Sequence, residues 1–155
     1  MKIELILVGK TSKSYFQDAI EEYVKRISRY ISFDVKIIPD LKNSKNLSEK
    51  QIKELEGLAV LKQIDSSDYV VLLDDKGKSF TSKEMAIWLE QKQAQSIKKM
   101  VFVIGGAYGF SADVYTRTNE KISLSKLTFS HQIVRPIFLE QLYRCSSGCR
   151  TGSCK

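Results

Sequence analysis

Apolar strands alternating with amphipathic helices predict an α/β domain with a largely parallel sheet covered by helices. Three observations carry this prediction. Short runs of Val, Ile and Leu recur at Ile3–Gly9, Tyr69–Asp74 and Met100–Gly106. They read as continuously apolar, as strands buried on both faces do. Helical patterns separate them, and each run stops at glycine or aspartate.

The first run, IELILVG, ends at Gly9. Phe16, Ala19, Ile20, Tyr23, Ile27 and Tyr30 then fall on one stripe at helical spacing, which predicts a helix with these side chains in the core. FDVKIIP alternates and closes at Pro39, as a second strand does. The lysine-rich stretch DLKNSKNLSEK predicts a mobile loop that could face phosphate. Ser48, followed three residues later by Gln51, forms a capping box for a helix through about Ile64.

YVVLLD is the third strand, ending at Asp74, and DDKGKS reads as a turn. Thr81 and Glu84 make a second capping box, opening a helix that contains Met85, Ala86, Trp88 and Leu89. MVFVIGG is the fourth strand. Ser111 caps a short helix over residues 112–119, and ISLS is a brief fifth strand. SHQIVRPIFLEQLYR is a final helical segment in which Pro136 either kinks the helix or occupies its first turn.

Composition narrows the class of protein. The chain has 155 residues, 43% of them hydrophobic, enough for one domain over residues 1–155. No apolar stretch approaches the roughly 20 residues of a membrane span. The N-terminus lacks the long apolar core of a secretion signal, so a cytoplasmic location is expected. The net charge of +7, from 25 Lys and Arg against 18 Asp and Glu, favours a polyanionic partner such as nucleic acid, although the lysines are scattered. No metal-ligand cluster is visible. Cys145, Cys149 and Cys154 lack nearby histidine and match no zinc spacing, and they read as exposed thiols on a frayed tail.

In parallel sheets ligands bind outside the carboxyl ends of the strands. Gly9, Asp74, Gly105 and the loop after Ser125 belong there. Gly105, Gly106 and Gly109 form neither the dinucleotide fingerprint nor a Walker loop, because the first two are adjacent and no G-K-[ST] follows. The failed fingerprint argues against an NAD- or ATP-dependent enzyme. The loop is either a structural turn or a nucleoside cradle. Three polar, small-residue loops, LLDDKG, GGAYG and ISLSKLTFSHQ, could together hold an uncharged or cationic nucleoside. His131, the only histidine, is either a structural hydrogen-bonder or part of the site. Arg135 and Arg144 either meet phosphate or carboxylate or form a solvated helix face.

MKIELILVGK, LLDDKGKSFTSKEMA, VFVIGGAYGFSADV and ISLSKLTFSHQIVRPIFLEQLYR, in this order and spacing, resemble the RlmH family. Its members are SPOUT-class methyltransferases of ribosomal RNA, and the resemblance runs from Met1 to Arg144. It implies an α/β knot with a threaded C-terminal segment, S-adenosylmethionine as cofactor, and a homodimer whose sites are completed by the partner chain. It also implies N3-methylpseudouridine in large-subunit rRNA as product, made on the assembled ribosome. Leu73, Gly105, Leu124, Ser125, Lys126, Leu127, Thr128 and Phe129 match the family's cofactor contacts. The chemistry then makes His131 a candidate base for the N3 proton, with Arg135 and Arg144 holding RNA phosphate or balancing charge.

One stretch departs from the family. After EQLYR, members continue with an apolar helical turn, then glycine and a terminal Tyr-His, where this chain reads CSSGCRTGSCK. The alternative expectation is therefore a catalytically impaired protein of the same fold that binds RNA or ribosomes.

Overall fold

The computed structural model describes residues 1–148. Five strands alternate with five α-helices there: β1 (Lys2–Val8), α1 (Ser14–Ser28), β2 (Ser32–Ile38), α2 (Glu49–Lys62), β3 (Tyr69–Ser79), α3 (Ser82–Ala94), β4 (Lys99–Ile104), α4 (Ala112–Arg117), β5 (Glu120–Ser123) and α5 (Val134–Ser147), with one 3₁₀ turn, Ser44–Asn46, in the lysine-rich stretch between β2 and α2. The sheet order is β2-β1-β4-β3-β5, and every strand pairing is parallel.

The pleat explains why the strands read as continuous apolar runs. Successive side chains point to opposite faces, and both faces are covered. Ile3, Leu5 and Leu7 of β1 and Met100, Phe102 and Ile104 of β4 pack with Ile27 of α1, Met85 and Leu89 of α3, and Phe138 and Leu142 of α5. Ile6 and Val8, with Val101 and Val103, pack on the opposite face with Val60 of α2 and Val114 of α4. Helices α1, α3 and α5 thus form one layer and α2 and α4 the other.

Both capping boxes form. The Gln51 N–H donates to Ser48 Oγ at 3.2 Å, and the Ser48 N–H donates to Gln51 Oε1 at 2.8 Å. The corresponding distances at Thr81 and Glu84 are 3.1 and 2.7 Å. Pro136 sits in the first turn of α5, where its missing N–H costs nothing.

Several expectations are corrected. DDKGKS does not turn the chain, because β3 continues to Ser79. Leu73 and Lys78 both pair with Ile122, so residues 74–77 form a bulge against β5. Helix α4 ends at Arg117 instead of residue 119. Asn119 is drawn away by β3: its N–H donates to the Val70 carbonyl at 2.9 Å, and its side-chain oxygen accepts the Val70 N–H at 2.8 Å. Tyr30 lies beyond the end of α1 and is 53% exposed, so it is not core. Cys145 is not an exposed tail thiol. It is buried in the last turns of α5 beside Leu142 and Phe138. Cys149 and Cys154 lie outside the described residues.

Candidate active site

The bulge in β3 and the connections leaving β4 and β5 at their carboxyl ends enclose one cleft of about 530 Å³, a size usual for small-ligand sites. Leu73, Ile104, Ile122, Leu124 and Phe129 supply apolar walls, and Asp74, Ser123 and Ser125 supply polar groups. The loop after β5 is braced internally. Ser123 Oγ donates to the Ser125 carbonyl at 2.8 Å, and the Leu127 N–H donates to Ser125 Oγ at 2.9 Å.

The glycines of the β4 loop have distinct reasons. Gly109 has φ +83°, a backbone that other L-residues rarely adopt, and its N–H closes a turn onto the Gly106 carbonyl at 3.2 Å. A Cβ on Gly105 would lie 3.0 Å from the Phe110 ring, and one on Gly106 would lie 2.8 Å from Glu56 Oε2. Those missing side chains make room for Phe110 and Glu56 of the chain itself. Among the described residues Glu56 Oε1 is buried without a hydrogen-bond partner. Burial, and then the negative charge of Asp40, raise the Glu56 pKa.

Asp74 enters the cleft from the β3 bulge. Its carboxylate accepts from the Tyr115 hydroxyl and from the Lys76 N–H. Burial opposes its ionisation. The bonds from Tyr115 and Lys76, an interaction with Asp75 and the charge of Lys121 outweigh that effect and hold its pKa below the ordinary value. The Tyr115 phenol is pushed upward by burial and by the bond to Asp74.

His131 lines the cleft, and its pKa is lowered by burial and then by the positive charge of Arg135. Both effects favour the neutral imidazole. Arg135 itself is fully buried. Nη1 donates to the Gly9 carbonyl at 2.9 Å and to Thr11 Oγ1 at 3.0 Å, and Nη2 donates to the Val8 carbonyl at 2.8 Å. Nε donates to the His131 carbonyl at 3.1 Å. The guanidinium thus fastens the His131 turn to the end of β1. Gln132 strengthens the same junction, accepting from the Ser12 N–H at 3.0 Å and donating to the Lys10 carbonyl at 3.2 Å.

A family model described as a predicted SPOUT methyltransferase matches residues 1–149. A protein of Parabacteroides distasonis named ribosomal RNA large subunit methyltransferase H is 56% identical over 144 residues, covering 93% of this chain and 92% of the relative. The chain belongs to the RlmH family of SPOUT methyltransferases. Two more RlmH proteins bear the same name. That of Phocaeicola vulgatus is 51% identical, covering 98% of this chain and 97% of its own, and that of Flavobacterium psychrophilum is 54% identical, covering 93% and 92%.

Most of the RlmH contacts expected from sequence meet in the one cleft. Leu73, Gly105, Leu124, Ser125, Leu127, Thr128, Phe129 and His131 line it, whereas Lys126, Arg135 and Arg144 do not. Arg144 lies near the far end of α5, with Nε 2.6 Å from Glu140 Oε1. Sequence reading missed Tyr115 and Lys53 as cleft residues. Tyr115 stands one turn beyond the Ser111 cap, but no sequence signal shows that this turn faces the β3 bulge at Asp74. Among the described residues no group of three or more His, Cys, Asp or Glu could hold a metal, and no helix is long and apolar enough to cross a membrane.

Proposed function

We propose that this protein methylates N3 of a pseudouridine in large-subunit rRNA, on the assembled ribosome and in the cytoplasm, with S-adenosylmethionine as cofactor. The observation that carries this reading is that Leu73, Gly105 and five of the six residues 124–129 line one cleft. The residues fit such a group. The cleft has apolar walls, a braced main-chain loop and the volume for a nucleoside with a short tail. Bound there, S-adenosylmethionine supplies an activated methyl group, so the protein's task is chiefly alignment and proton removal.

His131 is the base in this reading. Its neutral imidazole accepts the N3 proton, leaving a nucleophilic nitrogen. Arg135 is a positioning residue, since its side chain holds the His131 main chain and does not reach the cleft. Arg144, outside this cleft, is assigned to RNA phosphate in a homodimer whose sites are completed across the interface. The segment from β5 to α5 crosses from the sheet edge to the end of β1, where Arg135 and Gln132 fasten it. That path supports a threaded, knotted C-terminal segment. The basic surface, at net charge +7, suits an RNA partner.

Labelled S-adenosylmethionine offered with naked rRNA, isolated large subunits or assembled ribosomes tests the reading. Label at N3 of one pseudouridine on assembled ribosomes is expected. Ribosome binding without methyl transfer would favour an impaired RNA-binding protein instead.

A further inference from the structure

Asp74 is the first residue to leave register in the β3 bulge, because Leu73 and Lys78 share Ile122 as their partner. Bulges re-aim side chains, and here the carboxylate comes to line the cleft. Two donors fix it. The Tyr115 hydroxyl donates to Oδ2, and the Lys76 N–H donates to Oδ1 at 2.9 Å. These two bonds take one lone pair from each oxygen, while an ionised carboxylate offers about four sites. Both oxygens of this oriented group retain acceptor capacity.

Two adjacent acceptors match a vicinal diol, which presents two O–H donors side by side. The same chemistry places an acidic side chain against ribose hydroxyls in dinucleotide folds. A cationic group is a poorer match. Lys53, Lys76 and a second carboxylate, Asp75, line the same cleft, and Lys121 Nζ lies 5.5 Å from the centre of the Tyr115 ring, so the lysines outnumber the carboxylates there.

We infer that Asp74, oriented by Tyr115, accepts hydrogen bonds from the ribose hydroxyls of an adenosine-bearing ligand in this cleft. The inference rests on the methyl-donor reading and adds to it the group that recognises the sugar. Asp74 touches the ligand, and Tyr115 acts through Asp74 as a positioning residue.

Calorimetric titration of the full chain with S-adenosylhomocysteine, and with its counterpart lacking both ribose hydroxyls, tests this. Asp74→Asn preserves shape but removes the charge and one acceptor oxygen. For Asp74→Asn the Kd of S-adenosylhomocysteine should rise about 10- to 100-fold, while the Kd of the dideoxy ligand shifts by less than about twofold. Tyr115→Phe should show a smaller loss with the same dependence on the hydroxyls. Circular dichroism and urea midpoints check that both variants remain folded. Equal weakening of both ligands, or no weakening, would overturn the inference, since a merely structural role does not distinguish them. In a parallel titration with S-adenosylmethionine, a loss confined to that ligand would likewise overturn it and assign Asp74 to the sulfonium charge. A folded wild-type chain that binds neither ligand would remove the methyl-donor reading itself, and the inference with it.

Discussion

Arg135 donates from Nη2 to the carbonyl oxygen of Val8 at 2.8 Å, tying the start of α5 to the end of β1. The two residues are 127 positions apart. The guanidinium is fully buried, and among the described residues no carboxylate lies within ion-pairing distance of it, Asp40 acting on it only through space. Its charge is balanced by oriented main-chain carbonyls. A lysine cannot reproduce this fork. Arg135→Lys should therefore strand at least two buried acceptors and cost about 2–4 kcal/mol. Urea unfolding should show a lower midpoint with an unchanged slope.

His131 should titrate below the ordinary histidine value, because burial and then Arg135 disfavour its charged form. As pH falls, the unfolded chain takes up the proton first. The contribution of His131 to stability is therefore complete above about pH 6.5, the unfolded value, and is lost as pH falls through the lower folded value. As the only histidine, it gives a single imidazole Cε1 proton resonance. Its NMR midpoint should lie below 6.5 in the native protein and reach the ordinary value in urea. A native midpoint at or above 6.5 would contradict the burial argument and weaken His131 as a base.

The elements legible in sequence are those set by local chemistry. Ser48–Gln51 and Thr81–Glu84 specify helix starts because each box is closed within four residues. The apolar runs mark strands because both sheet faces are covered. The strand-end rule found the cleft, since Leu73, Gly105 and Leu124 need only lie at the same edge of the sheet. Tertiary partners overrode local signals elsewhere. DDKGKS carries turn residues, yet Lys78 and Ser79 pair with Ile122 and Ser123. Asn119 looks like a helix end, but Val70 claims both its main chain and its side chain. Arg135 resembles a ligand-facing cation in sequence. Its acceptors at residues 8, 9 and 11 leave no periodic trace.

Gly77 should tolerate no side chain. A Cβ there would lie 2.5 Å from the Ile122 nitrogen and 2.6 Å from the Lys121 carbonyl carbon, both backbone atoms of the paired strand. Backbone cannot yield as the end of a flexible side chain can. Gly77→Ala should push β5 away from β3 and destabilise the protein by about 2–4 kcal/mol. Amides of residues 120–123 should lose hydrogen-exchange protection before those of β1 and β4. Uniform protection in the variant would show that the bulge relaxes without disturbing β5.

Cys145 separates a frayed tail from a packed helix end. Ser, Gly and Cys after Arg144 suggest loss of structure, yet Phe138, Leu142 and Cys145 continue one stripe at spacings of four and three. The structure buries Cys145 against the α1, α3 and α5 core, and burial pushes its thiol up to about 12. At pH 8 the native thiol is therefore uncharged and shielded, and both conditions suppress alkylation. Iodoacetamide should label Cys145 slowly in the native protein and rapidly in guanidinium, as read by peptide mass spectrometry. Fast native labelling would mean that α5 opens at this point. Cys145→Ser should then be nearly neutral. If the helix stays packed, the same substitution buries a hydroxyl and costs about 1–3 kcal/mol.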